Sequence, residues 1–183
     1  MSIATTEVSG PTNAPPARSG LCILAVEDND ADAYLICRAL GDNPTVGKVV
    51  HARDGVEALT LIESGEVAPD LAFIDLRMPR MDGFDLLVAV ATRPRLGFPM
   101  VVLTSSGSPD DVIRSRLRGA TRVIAKPAAV TELYAVLKAA IEAICPGGRA
   151  GVARPTQNPG LQRMGQEGRL LRRAPGVGDD RLV

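Results

Sequence analysis

The sequence predicts an α/β domain: one parallel sheet of five strands, doubly wound by helices on both faces. Three observations lead there. Between residues 21 and 145, short apolar runs alternate strictly with amphipathic stretches, giving five strand–helix units. The runs are nearly continuously apolar, as in strands buried on both faces of a parallel sheet. The chain of 183 residues is long enough for one domain with a real core.

The elements follow in order. "LCILAV" (21–26) is a continuous apolar run and the first strand. A helix at about 30–40 pairs Leu35 with Ala39 and Ile36 with Leu40 at i, i+4. "VGKVVHA" (46–52) reads as the second strand. "GVEALTLIESG" (55–65) is a helix with Ala58, Leu59 and Ile62 on one face and Gly65 as its stop. "DLAFID" (70–75) is the third strand, preceded by a loop in which Asp70 is a loop acid. "DGFDLLVAVAT" (82–92) is a helix capped by Asp82, with Phe84, Leu87, Val88 and Ala91 on its stripe. "FPMVVLTSS" (98–106) is the fourth strand. "SPDDVIRSRLRG" (108–119) opens a helix with a Ser cap, Pro at the first helical position and acids in the first turn. "TRVIA" (121–125) is the fifth strand, and the last helix (129–144) carries Val130, Leu133, Leu137, Ala140, Ile141 and Ile144. Five such units with right-handed crossovers fit the flavodoxin-like strand order 2-1-3-4-5, whose switch point lies between strands 1 and 3.

Composition narrows the function. The formal net charge is zero, so no global field attracts nucleic acid. The zero hides an asymmetry: residues 21–145 hold 13 Lys and Arg against 17 Asp and Glu, and residues 146–183 hold 7 Arg against 3 acids. The three cysteines, Cys22, Cys37 and Cys145, form no C-x-x-C pair, and His51 is the single histidine, so a structural zinc site is not expected. The thiols read as reduced core residues of a cytoplasmic protein. No run is apolar enough to cross a membrane, and residues 1–20 lack the apolar core of a secretory signal. Residues 1–20 read as a disordered lead-in, 21–145 as the domain, and 146–183, rich in Gly, Pro and Arg, as a disordered tail. No helix-turn-helix pattern follows residue 145, so no DNA-binding domain is expected.

The polar residues fall in one place. Strand 1 runs into Glu27 and Asp28, strand 3 ends at Asp75, strand 4 at Thr104 and strand 5 at Lys126. Ligands of open α/β sheets bind at these carboxyl ends, and the acids flank the switch point. Clustered carboxylates repel one another, and Mg²⁺ with oxygen ligands would offset that. Lys126 offers a cation for a phosphoryl oxygen, and Thr104 offers a hydroxyl donor. The set suits phosphoryl transfer to Asp75, stabilised mainly by electrostatics.

The stretches "ILAVEDNDADAYLICRAL", "HARDGVEAL", "FIDLRMPRMDG", "VVLTSSG" and "VIAKP" resemble, in order and spacing, the receiver domain of two-component response regulators. In detail they look most like the small single-domain regulators paired with bacterial phytochrome-type kinases. The resemblance implies that Asp75 accepts a phosphoryl group from a histidine kinase or histidine phosphotransfer protein. It implies Mg²⁺ bound by Glu27, Asp28, Asp75 and the backbone carbonyl of Arg77. Thr104 would move to meet the phosphoryl oxygens, Lys126 would contact them, and the peptide before Pro127 would be cis. Helix 4, strand 5 and helix 5 would carry the output, as a partner surface or a homodimer contact, with Tyr134 as a candidate contact. One position departs from the family: Val123 stands where the usual switch aromatic would be.

Three rivals are weaker. An aspartyl-nucleophile phosphatase would carry a second acid two residues after the first, where this chain has Arg77. A flavodoxin-like nucleotide binder would need a Gly/Ser/Thr-rich loop where "EDND" stands. A pseudo-receiver that only binds would lack a key acid, and none is lacking. The expected role is signalling, not enzymatic turnover of a separate substrate.

Overall fold

The structure, a computed structural model, describes residues 20–148. The lead-in and nearly all of the tail lie outside the described residues. Five strands are present: β1 Leu21–Val26, β2 Val46–Ala52, β3 Leu71–Asp75, β4 Met100–Thr104 and β5 Arg122–Ala125. Five helices alternate with them: α1 Asp30–Gly41, α2 Gly55–Glu63, α3 Gly83–Ala91, α4 Pro109–Leu117 and α5 Val130–Ile144. All pairings are parallel, in the order β2-β1-β3-β4-β5. This is the predicted topology.

The period-2 alternation of each strand divides the core in two. Leu24, Val26, Ala72, Ile74, Met100 and Val102 face α2 and α3, meeting Ala58, Ile62, Phe84, Leu87 and Val90. Leu21, Ile23, Ala25, Leu71, Phe73, Val101 and Leu103 face α1 and α5, meeting Ile36, Leu40, Leu137 and Ile141. Every residue of β1, β3 and β4 is buried. The edge strands β2 and β5 are only partly covered.

Helix α4 is the exception. Its buried residues are Asp111 and Ser115, both polar, while Ile113 and Leu117 are 57% and 61% exposed. It therefore lacks the apolar anchor that burying a Leu or Ile supplies, roughly 1.5–3 kcal/mol each.

Several local expectations are corrected. Val88 is exposed, and Leu86 and Val90 take buried places on α3, because the buried arc of α3 is turned toward Leu86 and away from Val88; Val130, the first residue of α5, is exposed too. Ser108 occupies the N-cap of α4 but makes no side-chain cap bond; its own N–H donates to Ser106 Oγ. Asp82 does cap α3, accepting from the Asp85 N–H. Asp70 is more than a loop acid: its carboxylate accepts the Cys22 N–H at 2.8 Å, tying the start of β1 to the loop before β3. Tyr134 is half-buried: it packs against the α1–α5 core and donates to Asp42 at 3.3 Å. No cis peptide occurs among the described residues, contrary to the expectation at Pro127. Single 3-10 turns at Pro94–Leu96 and Pro146–Gly148 had no periodic signal. Cys22 and Cys145 are buried, and Cys37 is half-buried.

Gly83 explains the tight turn after β3. A methyl group there would lie 2.2 Å from the Asp75 carbonyl oxygen and 2.9 Å from Leu76 Cα. The start of α3 folds back against the end of β3, and only a residue without Cβ allows that approach.

Candidate functional site

The topology brings the predicted side chains to one end of the sheet. Glu27 follows β1 and is buried, Asp75 closes β3 and is buried, and Thr104 closes β4 and is buried. Asp28 is exposed. Lys126 follows β5, and its N–H donates to the Thr104 carbonyl at 2.8 Å.

Lys126 is the hub. Its Nζ lies 2.6 Å from Glu27 Oε2, 3.0 Å from Asp75 Oδ1 and 3.2 Å from Asp32 Oδ2. Burial alone would lower its pKa, but the hydrogen bond it donates to Glu27 and the charge of Asp75 outweigh burial and hold it above the ordinary lysine value. Burial pushes the Glu27 carboxyl up, and the contact with Lys126 offsets this only in part. His51 donates from Nε2 to the Glu27 carbonyl at 2.8 Å and so steadies the turn after β1.

Ligand oxygens of Glu27, Asp28 and Asp75 all lie within 4.8 Å of one another. An all-oxygen donor set with one exposed member fits Mg²⁺, which keeps several waters and takes one or two carboxylates. Asp75 Oδ2 accepts the Arg77 N–H at 2.7 Å. Thr104 Oγ1 accepts the Ser106 N–H at 3.0 Å, which ties the hydroxyl to the loop before α4.

Sequence reasoning missed two acids. Asp32 lies in the first turn of α1, which starts directly after the acidic stretch that ends β1, and that position at the helix start could have placed it beside the site. Asp111 is buried on α4 and accepts from Arg77 Nη2 at 3.1 Å. Two consecutive acids after a helix-start proline read as ordinary first-turn charges, so nothing local marks Asp111.

The family model for the response regulator receiver domain matches residues 23–138. The chain belongs to this receiver family. The probable methanogenesis regulatory protein FilR2 of Methanothrix harundinacea is 35% identical over 122 residues, 64% of this chain and 79% of that protein. The response regulator Rcp1 of Synechocystis is 36% identical over 99 residues, 51% of this chain and 67% of that protein. The match to the sensor histidine kinase CheAY of Helicobacter pylori spans 16% of that much longer protein. Among solved structures, the phosphorylated cyanobacterial phytochrome response regulator RcpA superposes with a TM-score of 0.63 at 33% identity, covering 67% of this receiver chain and 92% of that one. The Mn²⁺-bound form of Rcp1 gives 0.62 at 28% identity, covering 67% and 92%. These neighbours share the five-stranded receiver fold.

Proposed function

We propose that this receiver domain accepts a phosphoryl group on Asp75 from a phosphohistidine of a kinase or phosphotransfer protein, with Mg²⁺ bound, and signals by protein–protein contact. The observation that carries the reading is the Asp75 carboxylate set 3.0 Å from Lys126 Nζ and grouped with Glu27 and Asp28. An Asp75 oxygen attacks phosphorus, the P–N bond of the phosphoimidazole breaks, and the imidazole leaves with the electron pair and takes a proton. Glu27, Asp28, Asp75 and the Arg77 carbonyl would hold Mg²⁺, which supplies positive charge against the phosphoryl oxygens. Lys126 and the Thr104 hydroxyl are the chain's own donors to those oxygens. That RcpA is known in a phosphorylated form and Rcp1 with Mn²⁺ supports the reading.

Cys22 and Cys145 are buried in the core as small hydrophobes, a use of cysteine that suits a reducing compartment, and no described helix is long and apolar enough to cross a membrane. We therefore place the protein in the cytoplasm. The face formed by α4, β5 and α5, with Ile113 and Leu117 exposed, is the proposed output surface, for a partner or a second copy.

Acetyl phosphate with Mg²⁺ should add the mass of a single phosphoryl group, and Asp75→Asn or EDTA should abolish the gain. Equal labelling of the Asn variant overturns the assignment.

A further inference from the structure

Arg77 connects the two ends of the switch. Its backbone N–H donates to Asp75 Oδ2 at 2.7 Å, and its guanidinium Nη2 reaches across to Asp111 Oδ2 at 3.1 Å. The Arg77 side chain is 66% exposed, and that of Asp111 is 6% exposed. Asp111's other cation is Arg114 at 3.9 Å, and that guanidinium is also spent on the Phe84 ring, 4.2 Å from its centroid. Asp111 and Ser115 are the whole buried face of α4. The buried face of the helix is thus polar, and a charge contact ties it to the β3–α3 loop.

We propose that Arg77 is a switchable phosphoryl ligand: on phosphorylation of Asp75 its guanidinium leaves Asp111 for the phosphoryl oxygens, and this releases α4. The proposal rests on the phosphoacceptor reading above. A phosphoryl group brings about two negative charges and three acceptor oxygens beside Arg77, a stronger and more exposed target than one carboxylate. The mobile partner of the pair is the exposed one, so the guanidinium swings while Asp111 stays in place. Asp111 is then buried with Arg114, at 3.9 Å, as its one remaining cation, and a buried carboxylate that loses a partner is costly. Displacing α4 relieves that cost, because no apolar side chain of the helix is fully buried to resist it. The ring that is missing at Val123 is not required for this route.

The test is the lifetime of the phosphorylated full chain, followed by intact mass after acetyl phosphate is removed with Mg²⁺ present. In the decay a water oxygen attacks phosphorus, the P–O bond to Asp75 breaks, and inorganic phosphate leaves. Arg77→Ala removes the ligand and should shorten the lifetime several-fold. Asp111→Asn frees Arg77 for the phosphoryl group and should lengthen it several-fold. The double variant should decay like Arg77→Ala. A purely structural ion pair predicts the same direction for both single variants, and that result, or no change in either, overturns the proposal. Amide exchange gives a second readout: Asp111→Asn should loosen α4 before phosphorylation, and wild type only after it. Should the Asn variant not fold, Arg77→Lys replaces it, with a lifetime expected between wild type and Arg77→Ala; a lifetime no longer than that of the Ala variant overturns the proposal. If wild type gains no phosphoryl mass at all, the phosphoacceptor reading fails, which is a different outcome.

Discussion

Asp54 shows how one carboxylate can serve two elements. Its Oδ1 accepts the Val56 and Glu57 N–H groups and caps α2. Its Oδ2 holds the Arg80 guanidinium. Arg80 sits at φ 63°, a left-handed conformation that costs a non-glycine residue roughly 1–2 kcal/mol, and the ion pair helps to keep it there. Burial alone would raise the Asp54 pKa, but the Glu57 amide, the Arg80 guanidinium and the Val56 amide outweigh it and hold the carboxyl below its ordinary value. A group lowered in the folded state stabilises above its unfolded pKa, about 3.9, and loses that contribution as pH falls through the folded value. Asp54→Ala should therefore cost about 1–2 kcal/mol near neutral pH, with the gap from wild type narrowing below about pH 4. Urea melts of both proteins at each pH measure it; an equal gap at both would show that the charge contributes nothing. At this scale the sequence was uneven. Glu27, Asp28, Asp75, Thr104 and Lys126 were legible because strand ends locate them. Asp111 was not, because its partner Arg77 lies 34 residues away.

Helix α4 and strand β5 differ in how firmly they are held. Val123 is half-buried and packs against the core shared with α2 and α3, whereas α4 buries no apolar residue. β-Branching leaves Val123 few rotamers, so it can report little of any movement. Phosphorylation should then change amide exchange most across 105–118 and least across 121–125. The reverse distribution would place the route through β5. Val123→Tyr should still be labelled at Asp75, while overpacking costs about 1–3 kcal/mol of stability; intact mass and a thermal melt check both. Sheet order and element sequence were readable because the apolar runs are continuous and a cap such as Asp82 is a local signal. The loose seating of α4 was not readable. Its Pro-Asp-Asp start is a strong helix signal, and a helix-start signal says nothing about what the helix packs against.

The whole molecule sets charge against charge. Residues 21–145 are acidic on balance, and residues 146–183 carry 7 Arg against 3 acids. Both core clusters are built from residues 21 to 145, and each is closed on its own face of the sheet by helices within that span. A chain limited to residues 20–148 should therefore melt within a few degrees of the full protein, a difference of roughly 1 kcal/mol or less. It should also take the same phosphoryl mass from acetyl phosphate, because every proposed site residue is retained. The arginines of 146–183 leave one physical route by which the result could differ, an attraction to the acidic domain. That attraction is screened by salt, since the Debye length falls from about 10 Å at 0.1 M to about 3 Å at 1 M. Melts of both chains at low and high salt separate the cases. Equal melting at both ionic strengths makes 20–148 the complete folding unit. A fall on truncation that salt abolishes would assign the tail an electrostatic contact, and a large fall that persists in salt would mean that it contributes packing.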